Sequence, residues 1–160
     1  MARKTFFSFK YDDVQKAMTI RNSWVAQGRE SAGFVDMADF EEVKKKGVTA
    51  INNWIDKQLN GTSVTVVLIG ENTSDSKYVR YEIKKSIEIK NGLVAIFINN
   101  IKDFNGNKST KGTNPFVKYF GFTPSKNPSY PCCTYYDWIN DDGYNNMGNW
   151  IEKAAKDAGR

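Results

Sequence analysis

The chain has no histidine among its 160 residues, and only two cysteines and four prolines. Each scarcity closes off some chemistry. Without histidine there can be no Ser-His-Asp or Cys-His arrangement and no imidazole-bound metal. Cys132 and Cys133 are adjacent, where a disulfide is strained, so no disulfide framework is visible. Two thiols without histidine also speak against a zinc site, and burial is the expected role of the pair. That usage fits a cytoplasmic compartment. No apolar run reaches the roughly 18 residues that span a membrane. Met1 to Lys4 leads only into a short apolar stretch ending at Lys10, so no signal peptide is expected. The net charge is +5, but the basic residues are scattered. The one run, Lys44-Lys45-Lys46, reads as a solvated helix start. A nucleic-acid binder would gather its charge on one face, so no nucleic-acid partner is expected. Carboxylate, Lys, Tyr, Ser and Cys chemistry remain.

Aromatic residues are plentiful: four Trp, eight Tyr and ten Phe. Some must fill the core, and a surplus suits a pocket for flat rings. The length is that of one domain, spanning 1–160. Thr5-Phe6-Phe7-Ser8-Phe9 predicts a first strand. Asp12 with Gln15 reads as a capping box for a helix from Val14 to about Gln27, with Val14, Ala17, Met18, Arg21 and Val25 at helical spacing. Phe34-Val35 reads as a short second strand. Val48 to Leu59 predicts a helix with Val48, Ile51, Ile55 and Leu59 on one stripe.

Ser63 to Ile69 is a nearly continuous apolar, β-branched run, as a central strand covered on both faces requires. Ser76 to Lys90 predicts a helix with Val79, Ile83, Ser86 and Ile87 inward. Leu93 to Ile98 is a second buried strand. Asn99 to Pro131 reads as a long loop with one helical turn near Pro115 to Tyr119. Cys133 to Trp138 predicts a last strand, and Asn145 to Ala158 a closing helix with Met147, Trp150, Ile151 and Ala154 inward. The alternation predicts an α/β fold with a doubly wound parallel sheet. Ligands of such sheets sit at the carboxyl ends of the strands. The loops that matter are then Lys10–Asp13, Asp36–Asp39, Gly70–Ser76 and the one starting at Asn99.

Glu82 stands out within that frame. With Val79 at the centre of its helix's buried face, Ile83 lies about 40° to one side and Glu82 about 60° to the other. Glu82 thus borders the apolar stripe one turn after Tyr78, near the ligand end of the sheet. Spacing leaves two roles open, a functional carboxylate or a boundary glutamate paired with Lys85 or Arg80. Asp12 reads as a cap. Asp36 is either a turn-former or a site residue, and turn formation and helix capping account for Asp141 and Asp142, with Asp137 beside them. The loop Gly70-Glu71-Asn72-Thr73-Ser74 lacks both glycine-rich phosphate fingerprints.

Phe6-Phe7-Ser8-Phe9 with Asp12-Asp13 resembles the first strand and loop of TIR domains. Phe34-Val35-Asp36 resembles their second strand and the acid that follows it. Ser76-Lys77-Tyr78-Val79-Arg80-Tyr81-Glu82 is similar to the segment in which TIR enzymes carry an aromatic, three residues and the catalytic glutamate. The whole chain further resembles the TIR-like proteins of the bacterial Thoeris anti-phage system. Arg21-Asn22-Ser23-Trp24-Val25, Thr62-Ser63-Val64-Thr65, Lys111-Gly112-Thr113-Asn114-Pro115-Phe116 and Tyr136-Asp137-Trp138 through Asp142-Gly143-Tyr144 carry that likeness.

The resemblance implies a flavodoxin-like three-layer fold and cleavage of the nicotinamide–ribose bond of NAD+. It implies a cyclic ADP-ribose-type signal that diffuses to a separate effector, and self-association of the chain. Glu82 is implied as the catalytic carboxylate, with Phe6, Ser8, Asp36 and Tyr78 around the substrate. Two departures are visible: Phe9 where many TIR enzymes have tyrosine, and Tyr78 where tryptophan is usual. The chemistry suits a chain without histidine, because nicotinamide leaves neutral from a cationic ring and needs neither general acid, metal nor cofactor. Two rival readings are a non-catalytic TIR-like module that assembles or docks a partner, and a phosphate-accepting receiver domain.

Overall fold

The computed structural model describes residues 4–27, 31–32, 43–121 and 134–160. Five parallel strands form one sheet: β1 (Thr5–Phe9), β2 (Ser31–Ala32), β3 (Val64–Ile69), β4 (Gly92–Phe97) and β5 (Thr134–Asp137). Their order is β2-β1-β3-β4-β5, the doubly wound arrangement the alternation predicts. Every residue of β3 and β4 is buried, which is why both read as unbroken apolar runs. The predicted second strand, Phe34-Val35, lies outside the described residues, as do Asp36 and the two cysteines. The second strand seen is Ser31–Ala32, paired with Thr5 and Phe6.

The helices lying wholly within the described residues are α1 (Val14–Ala26), α2 (Val48–Leu59), α3 (Lys77–Glu88), α4 (Pro115–Phe120) and α5 (Gly143–Asp157). Alternation along the strands sorts them between two faces. Phe7, Val64, Val66, Leu68, Val94 and Ile96 pack with α1 and α5. Val67, Ile69, Leu93, Ala95 and Phe97 pack with α3 and with Phe116 of α4. Phe6 packs with Ile51, Ile55 and Leu59 of α2. Ser8, two residues on from Phe6, shares its face of β1, the face that α2 and α3 cover.

Helix α4 confirms the helical turn expected in the long loop. Asn114 caps it through its side chain, Pro115 opens it, and Gly121 ends it in the left-handed region.

Three local expectations are corrected. No capping box forms at α1. A 3₁₀ turn over Tyr11–Asp13 precedes it, Asp12 pairs with Lys10 at 3.0 Å, and the Gln15 side chain accepts from the Phe104 amide. The buried face of α1 is Lys16, Ala17, Ile20 and Trp24, whereas Arg21 is exposed and Val25 is 52% exposed. Trp24 buries far more surface than Val25 can, and it sets the rotation of the helix. Val48, at the first position of α2, is likewise exposed, while Ile51, Ile55 and Leu59 are buried.

Candidate active site

Strand order reverses between β1 and β3, and the polypeptide leaving β1 opens a cleft there. It has a volume of about 440 Å³, within the usual range for small-molecule sites. Its floor and sides are mostly apolar and aromatic: Phe6, Phe9, Tyr11, Trp54 and Tyr78. Lys10, Asp12, Lys44, Asp75 and Lys77 put charge around it, and Glu82 stands within.

Helix α3 brings Glu82 there. Ser76 caps the helix by accepting from the Val79 amide at 3.3 Å. Val79 and Ile83 then lock the helix to the sheet. This fixes Glu82 at the edge of the buried face, over β1. Ser8, fully buried, donates its hydroxyl to the Glu82 carboxylate. The Ser86 hydroxyl donates to the Glu82 backbone carbonyl at 2.6 Å and bonds Thr65 of β3 at 2.7 Å, tying this turn of α3 to the sheet.

Neither structural partner foreseen for Glu82 takes it. Lys85 pairs with Glu88 at 3.2 Å, and the Arg80 guanidinium lies 4.5 Å over the Tyr119 ring. The residue is partly exposed toward the cleft, while its carboxyl end is densely surrounded by protein. Burial pushes that carboxyl up to about 8, against the opposing effect of the Ser8 hydroxyl, which favours the charged form. In the free protein at neutral pH the group therefore holds a proton much of the time. A cation arriving beside it would favour its ionisation.

Four of the five residues expected at the site meet here. Phe6, Tyr78 and Glu82 line the cleft. Ser8 reaches it through Glu82. Asp36 lies outside the described residues. The Gly70 loop makes no phosphate cradle: the Asp13 carboxyl lies over Gly70, where a Cβ would meet it at 2.2 Å, and the Gly70 amide is taken by Thr73 Oγ1 at 2.8 Å.

Trp54 and Lys44 line the cleft and were not singled out from the sequence. Trp54 follows Ile51 by three residues, so it shares the buried stripe of α2, and that spacing was legible. Lys44 gave no such signal; the lysine run reads as solvent-facing, yet one of its members edges the cleft.

Among the described residues no helix is long and apolar enough to cross a membrane, and no cluster of acidic or cysteine residues is arranged to hold a metal ion.

The family model described as Thoeris protein ThsB, TIR-like domain, matches residues 6–103, which include both Ser8 and Glu82. A Bacillus cereus (strain MSX-D12) protein named "Putative cyclic ADP-D-ribose synthase ThsB1" is 36% identical, over 94% of this chain and 100% of its own length. The match extends across the sheet, the cleft and the closing helix, and the chain belongs to the ThsB family of Thoeris TIR-like proteins.

Proposed function

We propose that this chain acts as one TIR-like domain that cleaves the nicotinamide–ribose bond of NAD+ and closes the remainder into a cyclic ADP-ribose-type signal. The single observation that carries this reading is Glu82: a carboxyl group set in an aromatic cleft at the strand-order switch point and held by a buried serine hydroxyl. The similarity to a protein named as a cyclic ADP-D-ribose synthase supports the same chemistry.

The reaction asks little beyond such a group. The bond between the ribose carbon and the nicotinamide nitrogen breaks, and its electron pair leaves with neutral nicotinamide. The positive charge left on the ribose resembles that of glycoside hydrolysis. The cationic nicotinamide ring favours release of the Glu82 proton to solvent as substrate arrives. The resulting carboxylate then stabilises the ribosyl cation where water is scarce and its field is strong. Attack on that cation by a nucleophilic atom of the ADP-ribose remainder completes the ring, and the aromatic walls favour it over hydrolysis by excluding water and stacking flat rings.

Phe6, Ser8 and Tyr78 serve as substrate-pocket residues, and Asp36 joins them on the resemblance alone. No metal or cofactor is required. The product acts in the cytoplasm as a diffusible signal to a separate effector, and self-association accompanies activity.

The test is nicotinamide release from NAD+ at high protein concentration, followed by chromatography and mass spectrometry of the nucleotide product. The native chain is expected to release nicotinamide and a cyclic product. Glu82→Gln is expected to lose about 100-fold or more of that turnover. Undiminished turnover in Glu82→Gln would remove Glu82 from the mechanism. Absence of nicotinamide release from the native chain, with and without phage infection, would favour the non-catalytic assembly module.

A further inference from the structure

The two helices beside the Glu82 cleft are held to the fold in different ways. Helix α3 is pinned by directional bonds: Ser76 caps its start, and Ser86 ties it to Thr65 of β3. Helix α2 rests on the apolar stripe of Ile51, Ile55 and Leu59, laid over Phe6, with Tyr78 and Tyr81 of α3 packed against it. Among the described residues no side chain caps the start of α2 after Gly47. Apolar contact is non-directional. It keeps α2 on the body of the protein without fixing how far the helix is rolled about its own axis.

That roll bears on the site. Trp54 is the α2 residue that lines the cleft. With Ile55 at the centre of the stripe, Trp54 lies about 100° to one side and Asp56 about 100° to the other. A roll of α2 on its stripe therefore swings Trp54 and Asp56 together, and a tie at Asp56 sets where Trp54 stands.

Such a tie is present. The Tyr81 hydroxyl of α3 donates to Asp56 Oδ1 at 2.9 Å. Tyr81 follows Tyr78 by three residues, so the bond lies about one turn of α3 below the aromatic wall of the cleft. Neither Tyr81 nor Asp56 lines the cleft itself. Their bond refers the roll of α2 to the helix that carries Tyr78 and Glu82.

We propose that Tyr81 and Asp56 are positioning residues for the substrate: their hydrogen bond fixes α2 so that Trp54 is held at the cleft as a preformed wall. The pair acts through Trp54 and leaves the Glu82–Ser8 contact alone, so it governs the fit of the substrate and not the ionisation of the carboxyl group. What Trp54 would hold rests on the NAD+ reading; the tie between the bond and the place of Trp54 does not.

Two readouts on the full chain test this. The first needs no turnover. Trp24, Trp138 and Trp150 are at most 9% exposed, whereas Trp54 is half-buried, so acrylamide quenching of tryptophan fluorescence reports chiefly on Trp54. The contribution of Trp54 is the difference between chains with and without Trp54→Phe. Tyr81→Phe is expected to raise that contribution and to leave quenching in the Trp54→Phe background unchanged. Asp56→Ala is expected to do the same, and Asp56→Asn, which keeps an accepting oxygen, to stay close to native. The second readout is NAD+ kinetics. Tyr81→Phe is expected to raise KM about two- to tenfold, the worth of one hydrogen bond, with kcat and the pH midpoint little changed. The double variant Tyr81→Phe with Asp56→Ala is expected to be no worse than either single one, because both remove the same bond. A purely structural role would lower Tm without moving Trp54 or separating KM from kcat. The proposal is overturned if Tyr81→Phe and Asp56→Ala leave Trp54 quenching as in the native chain, if they lower kcat at unchanged KM, or if their effects add. Should the native chain release no nicotinamide, the NAD+ reading falls, and the quenching result alone decides the role of the pair.

Discussion

Glu82 and Ser8 lie 74 positions apart in the chain and form the central pair of the site. With the Glu82 carboxyl raised to about 8, the free protein carries the carboxylate that the proposed mechanism uses in a fraction that grows with pH. The value of kcat/KM for NAD+ is therefore expected to rise about tenfold per unit below that value and to level above it. Ser8→Ala removes a donor that favours the charged form, so the midpoint of this profile is expected to move to higher pH; an unmoved midpoint would separate Ser8 from the ionisation. The same shift has a consequence for stability. An unfolded chain loses the Glu82 proton near the ordinary 4.5, whereas the fold keeps it to about 8. Between those values the native state binds the extra proton, so Glu82 makes stability fall as pH rises, and the effect is flat above the folded value. Glu82→Gln abolishes this dependence. Its Tm relative to the native chain is expected to climb from pH 4.5 to pH 8, by an amount worth a few kcal/mol. Tm measured across that range checks the sign. Sequence alone placed Glu82 only at a border between buried and exposed, because helical spacing defines an angle and not a partner.

Helices and strands were legible to the extent that their own residues dictate them. The runs in β3 and β4 and the stripe of α3 are local patterns, and they appear where the pattern sets them. The rotation of α1 was misread because Val14, Ala17, Met18, Arg21 and Val25 also make a spaced row. The choice between that row and Ala17, Ile20 and Trp24 is made by the partner surface of β1, β3 and α5. The capping box at Asp12 failed for a related reason. The 3₁₀ turn hands the start of α1 to Asp13, and Asp12 is drawn to Lys10. Close contact between elements also fixes small residues. A Cβ at Gly92, the first residue of β4, would stand 2.5 Å from the Ala154 carbonyl oxygen of α5. That neighbour is helix backbone and cannot swing aside. Gly92→Ala is expected to cost about 2–3 kcal/mol in urea unfolding, and a loss under 0.5 kcal/mol would show that α5 can shift on the sheet.

The molecule as a whole is a parallel sheet between two helical layers, and its site exists because of strand order. The core beneath α1 holds that order in place. Trp24 is 1% exposed and meets Phe7 of β1 edge-on, with ring centroids 6.1 Å apart. Trp24→Ala is expected to remove about 3–5 kcal/mol of stability, which denaturant unfolding measures. NAD+ turnover is expected to survive in whatever fraction remains folded, since Trp24 lies on the face of the sheet opposite the Glu82 cleft. What the sequence determined by itself was of two kinds. Its inventory, with no histidine, ruled out whole classes of chemistry, because an absent side chain cannot act in any fold. Its periodicities fixed the alternation of strands and helices, because backbone sterics and apolar spacing act over a few residues. Tertiary structure decided the rest. Placing β1 beside β3 sets Ser8 under α3, turns Glu82 away from Lys85 and Arg80, and gathers Trp54 and Lys44 around the cleft. These are meetings between distant segments, and they are settled by which surfaces bury one another, a property no local stretch of sequence carries.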